Sequence, residues 1–443
     1  MTSQPDPARL TAEIRAIGAD GDGVARLPDG RPLFLPFTLP GEKVEARPIA
    51  RRGSGVAGIA ETILEPSAER VAPGCPHFGA CGGCTLQHWQ AAAIAAWKTE
   101  ELVRALAEAG FPDAQPAPIQ VSPPHSRRRV DLAIRKQAGI VSLGFHRPRA
   151  EEIVPITTCL VADPRLVALF EPLRALLPRI QGLKRDASCA INLLDSGPDL
   201  LLRTDGALTA GDRRLLAAFA QGEGIARIAW AEGDGPVELA AQLGPVSIAL
   251  SGALVPAPPG AFLQATPAGE AAIIAAVLAA LPPKLRPKDR IVELHAGCGT
   301  LTMPLARHAR VRAYEGDGAA VAALQAGASQ AGLHGTILAE KRDLTRQPLS
   351  PAELKDVAAV VLDPPFGGAG PQMEALAAAT VTHVIYVSCN PQALARDAGV
   401  LRRAGFALAS AQPIDQFLWS ARLEAVVSFT RAPPPRPRAR PPR

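Results

Sequence analysis

From about residue 262 onward, short apolar runs alternate with helical stretches, the pattern of a parallel sheet covered on both faces. The runs at 290–294, 311–315, 358–362 and 384–387 read as strands. The first 65 residues have another texture. Short segments at 12–17, 31–36, 42–49 and 55–64 are divided by Gly-Asp-Gly, Pro-Asp-Gly and Leu-Pro-Gly turns, which predicts a small β-barrel. Pro66 and Pro73 lead into a cysteine-bearing loop, and residues 89–109 form an Ala-rich helical pattern ended by Gly110. Residues 121–250 read as mixed α/β, opening with strands at 129–134 and 140–145. No internal repeat is visible. The expected division is a barrel over 1–65, a central α/β region over 66–260, a C-terminal α/β domain over 261–430 and a tail over 431–443. The helix at 89–109 is a candidate to pack on the C-terminal domain.

A length of 443 residues exceeds one comfortable core, and 47% hydrophobic content excludes wholesale disorder. The Ala-rich runs are broken by Gly, Pro and charges, so no membrane span is expected. The formal charge of +5 resides in the tail RAPPPRPRARPPR, whose five arginines meet no acid; the rest of the chain balances at zero. Such a Pro/Arg-rich segment is expected to stay disordered, as a phosphate contact or a solvated extension. Without a secretory signal peptide the chain reads as cytoplasmic, and a monomer is expected.

The most informative residue is Cys389. It lies where the apolar run Val384–Val387 passes into Ser388-Cys389-Asn390-Pro391, and proline cannot continue a ladder. A thiol there sits at a strand's C-terminal edge, where open α/β sheets hold their ligands. The strand 290–294 runs into His295-Ala296-Gly297-Cys298-Gly299-Thr300, a glycine loop that lets backbone approach a ligand, followed by a helix expected from Leu301. Glu315 ends the next strand, about where an acid can bond ribose hydroxyls. Asp343 follows a third strand, and Asp363-Pro364-Pro365 holds a carboxylate rigidly after the fourth. Any one of these acids is ordinary in a solvated loop; four strand ends sending polar groups to one crevice describe a site.

Cys75, Cys81 and Cys84 form C-x5-C-x2-C, and Cys159 follows far downstream. Zinc prefers paired C-x2-C knuckles. An uneven three-plus-one arrangement suits an iron–sulfur cluster better, although both are chemically allowed. Disulfides fit a cytosolic chain poorly. Cys189 and Cys298 have no partner at ligand spacing.

Taken together, CPHFGACGGC at 75–84 with Cys159, Gln264 in FLQATPAGE, ELHAGCGTLT at 293–302, LDPP at 362–365, YVSCNP at 386–391, and Glu424 before a final apolar strand resemble the S-adenosylmethionine-dependent RNA uracil-5 methyltransferases. The closest likeness is to the branch with an N-terminal TRAM barrel and a four-cysteine [4Fe-4S] cluster, which includes bacterial 23S ribosomal RNA enzymes. The resemblance implies a class I methyltransferase, Rossmann-like α/β sheet with an antiparallel last strand, a TRAM/OB-like barrel and a central α/β iron–sulfur domain. It implies Cys389 as nucleophile, Glu424 as general base, and Gln264, His295, Gly297, Gly299, Thr300, Glu315, Asp343 and Asp363 as cofactor-binding positions. It further implies base flipping, Asn390 holding the flipped base, and RNA, most of all 23S rRNA, as partner. The barrel and Arg127-Arg128-Arg129 are expected to hold that RNA.

This chain departs from relatives at His295, Thr266, Phe366 and Phe417–Leu423. Asp363-Pro-Pro-Phe366 also resembles the motif of enzymes that methylate exocyclic amines, which need no thiol. Methylation of tRNA is a further alternative, and a non-catalytic RNA-binding protein, with barrel, metal knuckle and basic tail, belongs to another class.

Overall fold

The computed structural model describes residues 9–432. The N-terminal sheet has six strands, Leu10–Glu13, Ala16–Ile17, Gly23–Arg26, Pro32–Leu35, Lys43–Arg52 and Gly55–Glu65. Its first segment pairs with Lys43–Arg52 through Leu10–Glu13 and with Gly23–Arg26 through Ala16–Ile17. One bent strand thereby joins both edges and closes the barrel. The run expected as a single strand at 12–17 is thus split, and Gly23–Arg26 adds a strand that its turn-like flanks conceal. Alternate residues point inward: Ala12, Ala25, Leu33, Leu35, Val44 and Ala46 form the barrel core.

The helix Ala91–Glu108 ends at Ala109 and Gly110, whose φ is +94°. Its Leu102 and Leu106 are packed into the core of the C-terminal sheet. A seven-stranded sheet follows in the order 153–155, 140–146, 129–137, 186–194, 197–204, 227–232, 238–242, with the hairpin 247–256 beyond it.

The C-terminal sheet has eight strands in the order 337–341, 310–315, 290–294, 359–362, 383–388, 424–430, 407–415, 120–121. The first five run parallel, and Glu424–Thr430 lies antiparallel to His383–Ser388. Strand order reverses between 290–294 and 359–362, the switch point where such sheets open a crevice. The three central parallel strands, 290–294, 359–362 and 383–388, are buried on both faces, as their Val, Ile and Leu runs require, whereas the outer strands 310–315 and 337–341 expose part of one face.

Two expectations are corrected. The helix after the glycine loop is a single turn, Thr302–Leu305, because the chain must reach the strand at Arg310 within a few residues. Arg431, taken as the start of the tail, is anchored: it donates to the carbonyls of Val381 and Ala377 and stacks on Phe406. The remaining tail, 433–443, lies outside the described residues. Among the described residues no helix is long and apolar enough to cross a membrane.

Candidate active site

Three neighbouring strand ends supply the central groups. Ser388 pairs with Ala425 across the antiparallel ladder, so Cys389 and Glu424 occupy the next opposed positions. Leu362 pairs with Tyr386 on the other side, which brings Asp363 to the same edge. The pattern that terminates each strand also presents each side chain. Asn390 caps the helix Pro391–Arg403 by accepting from Gln392 N–H at 3.1 Å, and Pro391 takes the first helical turn without losing a bond.

The other amide end of Asn390 donates to the Phe366 carbonyl at 2.8 Å. Both ends therefore tie the Cys389 turn to the Asp-Pro-Pro-Phe loop. Phe366 is half exposed, and the guanidinium of Arg422 sits 4.5 Å from its ring centroid. This pair stands at the positions where the chain departs from the resembling family. Burial pushes the Cys389 thiol up to about 12, with the charges of Glu424 and Asp363 adding and Arg422 opposing.

The glycine loop is held from the neighbouring strand. Glu315 accepts from Gly297 N–H at 2.9 Å and from Asp317 N–H at 2.8 Å. Gly299 has φ +103°, and a Cβ there would lie 2.5 Å from Leu324, so glycine is required. A Cβ at Gly297 would meet no atom within 4 Å, which leaves this stretch of backbone open to a ligand. His295 also has a positive φ, +62°; burial lowers its pKa, opposed by Glu315. Thr300 is half buried at the end of the loop. Asp343 is exposed and accepts from Thr345 and Arg346 N–H, capping its own turn.

Behind these groups lies a web of buried amides. Gln264 donates to Asp363 at 3.0 Å. Gln416, absent from the motif reading, donates to Gln264 Oε1 at 2.9 Å and to Glu424 Oε2 at 2.8 Å, and accepts from Ala265 N–H at 3.0 Å. Burial raises the pKa of Glu424, helped by the Asp363 charge, and pushes Asp363 up to about 7 against its Gln264 bond. Glu293 is a second residue missed: it is 2% exposed beneath the glycine loop and its Oε2 has no partner. Burial pushes it up to about 8, with Thr302 opposing and Asp363 and Glu315 adding. Its sequence signals were an acid in a buried strand and the first position of ELHAGCGTLT. Lys98, from the 91–108 helix, donates to Asp415 at 2.6 Å and to the Phe417 carbonyl at 3.1 Å, pinning the segment that carries Gln416.

Cys75, Cys81, Cys84 and Cys159 line one cavity of about 300 Å³, with Arg127, Phe417 and Leu418 in its wall. Burial raises Cys81 and pushes Cys84 up to about 12. Backbone N–H groups of Gly83 and Ala162 donate to the sulfurs of Cys81 and Cys159, each at 3.4 Å. Among the described residues no three His, Cys, Asp or Glu side chains converge as ligands of a single ion would. The arginine run divides among separate partners. Arg127 faces this cavity, Arg128 pairs with Glu270 and bonds the Gln264 carbonyl, and Arg129 lies over exposed Phe262. Alternation along the strand start sends the three to different partners.

Comparison with known proteins agrees with this geometry. The tRNA (Uracil-5-)-methyltransferase family profile matches residues 260–432, and the TRAM domain profile matches residues 8–47. An RNA methyltransferase of Caulobacter vibrioides is 43% identical, over 94% of this chain and 99% of its own. A 23S rRNA (uracil(1939)-C(5))-methyltransferase of Pectobacterium atrosepticum is 32% identical, over 97% of this chain and 95% of its own. The chain belongs to the RNA uracil-5 methyltransferase family. This S-adenosylmethionine-dependent family membership displaces the exocyclic-amine and non-catalytic readings. A tRNA (uracil-54, C5)-methyltransferase of Pyrococcus abyssi shares the fold, with TM-score 0.72 at 21% identity over 95% of this chain and 100% of that one.

Proposed function

We propose that this uracil-5 methyltransferase acts on a uridine of 23S rRNA in the cytoplasm, through a covalent bond between Cys389 and C6 of the base. The observation that carries the reading is the convergence of Cys389, Glu424 and Asp363 on three adjacent strand ends. Full-length similarity to the Pectobacterium enzyme supports the ribosomal target.

Uracil C5 is a weak nucleophile. The Cys389 thiol gives up its proton to solvent, and addition of the resulting thiolate at C6 forms an S–C6 bond and moves the C5=C6 electron pair onto C5 as an enolate. S-adenosylmethionine supplies the methyl group to C5 and leaves as S-adenosylhomocysteine. Glu424 then accepts the C5 proton; the C–H pair restores C5=C6 and the S–C6 bond breaks, returning the thiolate. Asp363, fixed by Gln264, orients the pyrimidine edge or the cofactor. Burial beside two acids keeps the resting thiol protonated and inert.

The open backbone at Gly297, the Glu315 clasp and the buried Gln264 fit an adenosyl cofactor. His295, Gly299 and Thr300 complete the loop. Asp343 is the outermost of the acids proposed there. The cysteine cavity fits a [4Fe-4S] group: four thiols surround a volume rather than a point, and two sulfurs already accept backbone N–H bonds. Such a group would cross-link the 75–84 loop to Cys159. The barrel over 1–65 and the central region over 66–260 are proposed to contact RNA around the methyltransferase domain at 261–430.

The test is capture on 5-fluorouridine-substituted RNA, with mass-spectrometric mapping of 5-methyluridine in ribosomal and transfer RNA from a deletion strain. A denaturation-resistant complex and loss of one or two rRNA sites are expected. An intact 23S rRNA pattern with loss in tRNA would overturn the target, and absence of any complex would overturn the covalent route.

A further inference from the structure

We propose that Gln416 is a positioning residue for the proton-transfer step: it selects which oxygen of Glu424 works as the base and couples that carboxylate to Gln264 and Asp363. The proposal rests on the reading of Glu424 as the base. Gln416 is 1% exposed, and its amide bonds Ala265, Gln264 and Glu424.

The orientation of that amide is determined. Ala265 N–H can only donate, so the group facing it must be Oε1, at 3.0 Å. Nε2 therefore points the other way, and its two hydrogens meet Gln264 Oε1 at 2.9 Å and Glu424 Oε2 at 2.8 Å. With its oxygen filled by Gln416, Gln264 must turn its own Nε2 to Asp363 Oδ2, at 3.0 Å. A single backbone N–H thus sets the sense of a chain of donors that ends on two carboxylates. Each carboxylate is gripped by one oxygen. Glu424 keeps Oε1, which is buried and has no partner, and this is the atom left to take the C5 proton.

The donor also favours the ionised form of Glu424, which burial opposes. The ionisable groups facing Glu424 are Asp363 and Cys389, with Arg422 acting on Cys389; Lys98 and Asp415 neutralise one another behind Gln416. No cation contacts the carboxylate directly among the described residues, so the amide N–H is its main source of stabilisation.

The experiment compares wild type with Gln416→Leu and Gln416→Met on an unmodified 23S rRNA transcript. It follows turnover against pH, KM for RNA, thermal midpoint, and the amount of methylated protein–RNA adduct surviving denaturation. Loss of the donor should move the acidic limb of the rate profile up by about one pH unit or more. It should lower kcat with little change in KM, and build up adduct at neutral pH that is released as pH rises. Glu424→Gln should hold its adduct at every pH. A fall in rate with an unmoved pH limb and no adduct in the folded variant would reduce Gln416 to a packing residue and overturn the proposal; if the Leu variant does not fold, the unbranched Met variant decides. Absence of adduct in Glu424→Gln itself would overturn the proposal through the reading beneath it, and is distinguished by wild type trapping no 5-fluorouridine RNA.

Discussion

Replacing Lys98 by Met should destabilise the C-terminal sheet more than any exposed charge change. Lys98 is fully buried and its ammonium lies 2.6 Å from Asp415, which is 3% exposed. Methionine keeps the unbranched stem but leaves the carboxylate without its counter-ion. Breaking such a pair typically costs about 3–5 kcal/mol. Asp415 retains the Phe417 N–H at 3.0 Å, which places the loss near the lower end, about 3 kcal/mol. For a unit of this size that corresponds to a fall of roughly 6–12 °C in midpoint. Calorimetry and urea unfolding on wild type, Lys98→Met, Asp415→Asn and the double variant form a cycle. The double variant should recover much of the loss, since neither charge then remains buried alone. A Lys98→Met midpoint within about 1 °C of wild type would refute the reasoning, because it would mean the isolated carboxylate is readily hydrated.

Cys389→Ala should abolish methylation and RNA capture, whereas Glu424→Gln should accumulate a methylated adduct on ordinary uridine, read by denaturing gel and mass spectrometry. In ligand-free protein, Glu293 should contribute a loss of stability as pH rises from about 5 to 8. Glu293 has a folded pKa of about 8 above its model-compound value of 4.5, so the native state holds more protons across that window and the slope is negative. Glu293→Gln should flatten part of this fall in thermal scans; an unchanged slope would show that the group does not titrate there. Cys81→Ala or Cys159→Ala should remove iron from anaerobically prepared protein and bleach its colour, with about four iron atoms per chain in wild type. Stoichiometric zinc without iron would refute the cluster.

Much of the site was legible because strand ends announce themselves locally. A run of β-branched residues stopped by Cys-Asn-Pro, Asp-Pro-Pro or Gly-x-Gly can only turn, and turning presents Cys389, Asp363 and the loop at 295–300 on one edge. The cysteine spacing, the helix ending at Gly110 and the barrel's alternation are likewise short-range signals, set by periodicity and turn chemistry. What one residue does for another far away in the chain had no such signal. Arg127, Arg128 and Arg129 looked alike in sequence and went to a cavity, an ion pair and an aromatic ring. Lys98 meets Asp415 across 317 positions, and Gln416 joins Gln264 across 152. Those pairings follow from the order of strands in the sheet and from the helix laid against it. The sequence by itself determined which side chains stand at the strand ends that open the crevice. Only the tertiary structure decided which buried amides and ion pairs hold them, because a hydrogen bond in a dry interior depends on where two distant segments come to rest.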